Sequence, residues 1–245
     1  MIALHAPKGG TGTTFVAAQV AMAFAAKGRP VTAIDSTFSQ SLKLHFGVLP
    51  SQSYGDLRST DSEAPAINGV RLMSGYRHGA EQRADFIRAV ADRYASDLII
   101  VDIDSGDRNL QQQIADLVDL HICVVDPTPA ALASLVHASS AMPVTATENL
   151  AIVLNRLDER FKLSRHSHTF LSDLFGPKFM GTIRRDEAVN EALASFELIE
   201  KFAPQSVVLS DVETLLVTLE ARLQAPPAVA EPNGVHTNNQ MKRSG

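Results

Sequence analysis

Short continuous apolar runs alternate along this chain with stretches whose apolar residues recur every three or four positions. The first pattern suits strands buried on both faces and the second suits helices packed on a sheet. Strands are predicted over Ile2–Ala6, Val31–Asp35, Ile67–Met73, Leu98–Asp102, His121–Val125, Leu150–Leu154 and Lys178–Ile183. Helices are predicted over Thr13–Lys27, Glu81–Tyr94, Leu110–Leu117, Ala130–Ala141, Ser167–Leu174, Glu187–Ala194 and Ser206–Leu223. Gly28 and Pro30 stop the first helix, Gln40–Phe46 reads as a short helix, and Ser51–Ala66 is polar and irregular. Seven or so strands with helical crossovers and no internal repeat imply an α/β fold, a single doubly wound, mostly parallel β-sheet flanked by helices. In the last helix, Val208, Val212, Leu215, Leu216, Leu219 and Leu223 form one stripe, which packs on the sheet.

Composition narrows this picture. Of 245 residues, 45% are hydrophobic and 20% charged, so the chain has enough apolar mass for a core without disulfides. Its single cysteine, Cys123, falls within a strand run, which places it in the interior and points to a reducing compartment. No signal peptide and no membrane-spanning run is visible. Residues 226–245 are rich in Pro, Asn and Gly and read as a disordered tail behind one domain, residues 1–225. Setting aside Glu231, Lys242 and Arg243 of that tail takes the 22 basic and 27 acidic residues to 20 and 26, a net of −6. An acidic body argues against generic nucleic-acid binding, because phosphate contacts supply most non-specific affinity.

The first strand runs into Pro7-Lys8-Gly9-Gly10-Thr11-Gly12-Thr13-Thr14 and then into a helix, the context that a phosphate-binding loop requires. Glycines let backbone N–H groups turn inward around phosphate oxygens, and the helix start adds a positive dipole end. Thr14 occupies the hydroxyl position that serves Mg²⁺. Against the consensus G-x-x-x-x-G-K-[ST], Pro7 replaces the first glycine and Thr13 replaces the lysine. The loop predicts ATP binding with Mg²⁺. Loss of the lysine predicts weaker affinity and slow or absent hydrolysis, since that charge matters most in the transition state.

Lys8-Gly9-Gly10-Thr11-Gly12-Thr13-Thr14 resembles the deviant phosphate loop of the MinD/ParA ATPases. The resemblance implies that Lys8 reaches the partner's phosphates across a nucleotide-bridged homodimer. It places Asp35, at the end of the second strand, near the attacking water and magnesium, with Thr37 where relatives have a second Asp. It places Asp102, followed by Asp104 and Gly106, near the Mg²⁺ shell. Asn155, with Arg156 beside it, falls where relatives contact adenine, and Arg184 stands where a loop packs on the base. The implied sites are therefore Lys8 and Asp35 for catalysis, Lys8 to Thr14 with Asn155, Arg156 and Arg184 for the nucleotide, and Thr14, Asp35 and Asp102 for the metal.

Within that family the chain is similar to the cellulose-biosynthesis branch. The shared features are the Gly-Gly-x-Gly-Thr-Thr loop, the segment Leu42-Lys43-Leu44-His45-Phe46, the run Arg185-Asp186-Glu187-Ala188 and a single Asp closing the second strand. This implies a cytoplasmic accessory factor of bacterial cellulose synthesis and secretion, recruited to the inner-membrane synthase or cell pole, with other secretion subunits as partners. The rival is a ParA/MinD-type ATPase that partitions or positions DNA or another cargo. One cysteine cannot supply an iron–sulfur reductase, and the tail has neither a tyrosine cluster nor an amphipathic face for direct membrane insertion. His166-Ser167-His168 makes a weak metal pair; a helix entry capped by Ser167 is the better reading.

Overall fold

The computed structural model describes residues 1–52, 55–56, 66–76, 80–140 and 149–224. The tail, 226–245, and most of the polar stretch Ser51–Ala66 lie outside the described residues. In chain order the strands are β1 (Ile2–His5), β2 (Val31–Asp35), β3 (Gly55–Asp56), β4 (Ala66–Ile67), β5 (Val70–Ser74), β6 (Leu98–Asp102), β7 (Leu120–Val125), β8 (Leu150–Leu157) and β9 (Phe179–Arg184). The helices are α1 (Thr13–Ala26), α2 (Ala80–Arg93), α3 (Arg108–Gln113), α4 (Pro129–Ser140), α5 (Lys162–Phe175), α6 (Ala188–Ala194), α7 (Ile199–Phe202) and α8 (Val207–Gln224), with 3₁₀ turns at Leu42–Phe46 and Gly176–Lys178.

One sheet carries the fold, in the order β3-β5-β2-β6-β1-β7-β8-β9, all parallel, with β4 antiparallel beside β5. Side-chain alternation along the strands sorts the core into two faces. Ile2, Leu4, Ile122 and Val153 meet α1 and the stripe of α8 on one face. Ala3, Ile99 and Val101 meet α2 and α3 on the other, and Cys123, Val125 and Ile152 meet α4 and α5 on that same side. Sandwiched between sheet and α8, α1 buries nine of its fourteen residues, which explains its nearly unbroken apolar sequence.

The order reverses around β1. The crossover through α1 leads to β2 on one face, whereas the crossover from β6 through α3 to β7 passes β1 on the other. The loops leaving β1 and β6 therefore diverge and open a crevice at the carboxyl ends of the strands, the usual ligand position in such sheets.

Several local expectations change. The single strand expected over Ile67–Met73 is a tight hairpin, with Asn68 and Gly69 at φ 52° and 77° forming its two-residue turn. The helix expected from Ser167 begins at Lys162, behind an extended Phe161. Ser167 is buried inside it and its hydroxyl donates to the Leu163 carbonyl at 2.8 Å, the i−4 bond open to a mid-helix serine. The helix expected over Leu110–Leu117 is shifted to Arg108–Gln113, because the Asp107 carboxylate caps it by accepting from Leu110 N. Strand β8 continues past Leu154 to Leu157, so Asn155 and Arg156 belong to it. No helix among the described residues is long and apolar enough to cross a membrane.

Candidate nucleotide site

The loop between β1 and α1 turns on Gly10 and Gly12, at φ 85° and 86°, a region that strains any side chain. Gly12 is doubly constrained, since a Cβ there would stand 2.3 Å from Asn155 Nδ2. Two consecutive loop carbonyls are held from outside by the end of β8. Asn155 Nδ2 donates to Thr11 O at 2.8 Å, and an Arg156 guanidinium N–H donates to Gly10 O at 2.6 Å. These bonds hold two successive peptides of the loop in place, and a phosphate cradle depends on fixed peptide orientation. Thr13, at the lysine position, puts its hydroxyl 3.2 Å from that of buried Thr11 and brings no charge. Lys8 is half-buried and its ammonium donates only to the neighbouring Gly9 carbonyl, at 3.3 Å, among the hydrogen bonds of the described residues.

Two carboxylates lie beneath the loop in register, Asp35 on β2 against Asp102 on β6. Both are fully buried, yet they are satisfied differently. Asp35 accepts from Thr37 N at 2.9 Å, Thr37 Oγ1 at 2.7 Å and Leu42 N at 3.0 Å, so it organises the segment after β2. The residue that departs from the family's second Asp thus occupies the first. No hydrogen bond of normal geometry reaches either oxygen of Asp102 among the described residues; the Thr14 hydroxyl lies only near enough to favour the charged form weakly. Burial, then the Asp35 charge, holds its carboxyl well above the ordinary range, with the Thr14 hydroxyl opposing and Asp104 adding to the rise. A buried, unpartnered carboxylate beside a threonine hydroxyl is a demanding environment that a divalent cation relieves, so Thr14 and Asp102 fit Mg²⁺ as oxygen donors. Asp35 adds charge to that position rather than a free oxygen. The described residues contain no cluster of three or more metal-ligating side chains, so such an ion would take phosphate and water for its remaining ligands. The histidines His166 and His168 do not form one; His168 packs edge-on against Phe179.

Beside the loop opens a cavity of about 620 Å³, wide enough for a nucleoside. Gly12, Thr14 and Asn155 form its inner wall, Phe161 and Val189 are apolar walls, and Arg184 reaches its rim. Arg184 is not free: its guanidinium forks onto Asp211 of α8 with contacts of 2.6 to 3.1 Å, and its backbone N–H also donates to that carboxylate at 2.8 Å.

The structure therefore brings Lys8 to Thr14, Asn155, Arg156 and Asp102 into one constellation, with Asp35 behind it and Arg184 at its edge. Sequence reasoning missed Asp126 and Thr128, which line the cavity after β7 and bond to each other at 2.7 Å. The apolar run Val124-Val125 ending in an Asp carried the same signal as Asp102. Phe161 was not recoverable, because a lone phenylalanine before a polar helix looks like any surface residue. Arg83 was missed too: it ties Ser36 O, at 3.1 Å, to Asp107, at 2.8 Å, and so links the loops after β2 and β6.

Residues 2–199 match the family described as CobQ/CobB/MinD/ParA nucleotide binding domain. No curated protein matches the chain. Among solved structures the fold is similar to a chain of the MinC:MinD cell division protein complex of Aquifex aeolicus, at TM-score 0.70 and 17% identity, covering 90% of this chain and 95% of that one. It is similar to a ParA family ATPase from Chlorobium tepidum TLS, at TM-score 0.70 and 19% identity over 89% and 98%. It is also similar to the septum site-determining protein MinD of Pyrococcus horikoshii OT3 complexed with Mg-ADP, at TM-score 0.66 and 18% identity over 89% and 95%. The match over residues 2–199 spans the loop, both carboxylates and the cavity lining except Val208, and the chain belongs to the CobQ/CobB/MinD/ParA nucleotide-binding domain family.

Proposed function

We propose that the chain binds MgATP, forms a homodimer bridged by that nucleotide, and hydrolyses it slowly or not at all. The observation that carries this reading is the unpartnered Asp102 carboxylate buried beneath an open glycine loop. Thr14 and Asp102 hold the ion, the loop amides hold the phosphates, and the cavity takes the adenosine. Thr13 offers no cation to the transition state and Thr37 engages Asp35, so binding is retained while turnover is not. Lys8, bonded weakly to its own loop, is the group that reaches a second protomer. The MinD relative complexed with Mg-ADP supports the choice of cofactor.

The switch serves bacterial cellulose biosynthesis and secretion as a cytoplasmic accessory factor like BcsQ (YhjQ), acting on other subunits of the secretion system and recruited to the inner-membrane synthase or cell pole. The shared loop, the Leu42–Phe46 segment and the Arg185–Ala188 run support this branch. A second reading, a ParA/MinD-type positioning ATPase for DNA or another cargo, is favoured by the MinD and ParA proteins among the similar structures. Sedimentation velocity with and without MgATP tests the switch, and a monomer in both conditions would sink the dimer. A turnover of about 10 s⁻¹, typical of good enzymes, would overturn the low-hydrolysis reading. A salt-sensitive gel shift with non-specific DNA would favour the second reading.

A further inference from the structure

Arg156 is placed by an irregularity that the nucleotide site alone does not explain. Between the register pairs Leu154 with Thr182 and Leu157 with Arg184, β8 spends three steps where β9 spends two, so one extra residue bulges from the strand. At that bulge Arg156 sits at φ 57°, uncommon for a non-glycine residue, with its N–H bonded to Asn155 Oδ1 at 2.9 Å. Bulges re-aim side chains beside functional sites. This one sends an arginine back over the phosphate loop, where its guanidinium meets Gly10 O and its Nε lies 3.8 Å from where a Gly12 Cβ would stand.

The other cations of the cavity wall are engaged by carboxylates. Arg184 forks onto Asp211, and Arg185 lies 3.5 Å from Glu187. Among the described residues no salt bridge involves Arg156, whose guanidinium is bonded to a neutral carbonyl and keeps several N–H groups for another acceptor. It stands over a loop whose consensus lysine, the group that reaches the β- and γ-phosphates, is Thr13 in this chain.

We propose that Arg156 supplies, within the same protomer, the positive charge toward the nucleotide phosphates that the loop lost at Thr13. The assignment rests on the ATP-binding reading and deepens it. A guanidinium stays charged at every physiological pH and binds phosphate through two parallel N–H groups, so it replaces an ammonium without needing the same point of attachment.

The test is calorimetric titration of MgATP and of AMP into the full chain and into Arg156→Gln, Arg156→Lys, Thr13→Lys and the double variant Thr13→Lys/Arg156→Gln. Arg156→Gln is expected to weaken MgATP by about 10- to 100-fold, the scale of one charge-assisted bond. AMP, lacking the outer phosphates, should weaken less than about threefold, and Arg156→Lys should recover most of the MgATP loss. In the Thr13→Lys background the same Gln substitution should weaken MgATP less than about threefold, because neighbouring groups that do one job are not additive. Equal losses for AMP and MgATP would make Arg156 a loop brace or base contact and overturn the proposal alone. An undiminished loss beside Thr13→Lys, or a lysine variant as weak as glutamine, would do the same. Absence of MgATP binding by the unaltered chain would overturn both this assignment and the ATP reading.

Discussion

Replacing Asp102 by asparagine separates what the buried carboxylate does for binding from what it does to the fold. Asp102 and Asp35 are register partners on adjacent parallel strands, which puts their carboxylates roughly 5 Å apart, the spacing between strands. Two charges at that separation repel by about 3 kcal/mol at an effective dielectric of 20. Asparagine removes this repulsion but leaves an amide without partners, at a cost of about 1–3 kcal/mol. These two effects alone give the nucleotide-free protein up to about 2 kcal/mol at pH 8, and relief of the buried charge's desolvation, its largest penalty, adds to the gain, so Tm should rise, by roughly 2–4 °C per kcal/mol for a chain of this size. The sign follows from linkage. A carboxyl whose folded pKa is raised contributes stability below its unfolded value and loses it as pH rises through the folded value, so the benefit of removing the acid is largest at high pH. The assay is a thermal melt at pH 8 and at pH 4, each with EDTA and with MgATP at pH 8. The substitution should raise Tm in EDTA at pH 8, lose most of that advantage at pH 4, and gain much less than the unaltered protein from MgATP. A Tm at or below the parent's in EDTA at pH 8 would refute the claim that Asp102 is an uncompensated buried acid. An equal MgATP increment would refute its role at the metal.

Lys8→Ala should abolish MgATP-dependent dimerisation in sedimentation while leaving nucleotide affinity within about threefold, the range of a lost weak contact; parallel loss of both would make Lys8 a ligand of its own protomer. Gly12→Ala should eliminate ATP binding and lower Tm, because the new methyl meets Asn155 at 2.3 Å on a φ of 86°. Its failure to change either would mean that the loop is not held as the structure shows. His5 is buried beside His121, and burial first, then the charge of that neighbour, lowers its pKa to about 3. The unfolded chain then binds the extra proton between about pH 3 and 6.5, so stability present above 6.5 falls with acidification by about 1.4 kcal/mol per pH unit from this group. His5→Leu should flatten the Tm profile between pH 6.5 and 5, and an unchanged slope would exclude His5 as its source.

Much of the fold was legible because the buried strands are short, mainly apolar runs and most of the longer helices repeat their apolar positions near 3.6, while α1 is apolar almost throughout. Val31–Asp35 and Leu98–Asp102 match to the residue. The hairpin at Asn68-Gly69 was passed over because β-branched and apolar residues flank it on both sides, although the Asn-Gly pair is itself a strong turn signal. The start of α5 was misplaced because the first turn inverts the usual pattern, with Leu163 exposed and Ser164 buried, leaving no hydrophobic contrast to read.

The sequence by itself determined the strand–loop–helix unit at Pro7–Thr14, the exchange of lysine for Thr13, and the carboxylates that end two strands. These are local facts, set by glycine dihedrals, helix start and the span of one strand. Only the tertiary structure decided that Asp35 is satisfied by Thr37 while Asp102 is left unpartnered, that Arg184 is tied to Asp211, and that a bulge turns Arg156 onto Gly10. Each of these depends on which strand lies beside which and in what register, and that pairing joins residues as far apart as Gly10 and Arg156. No local periodicity encodes it, because the free energy that selects it comes from packing both faces of the sheet at once.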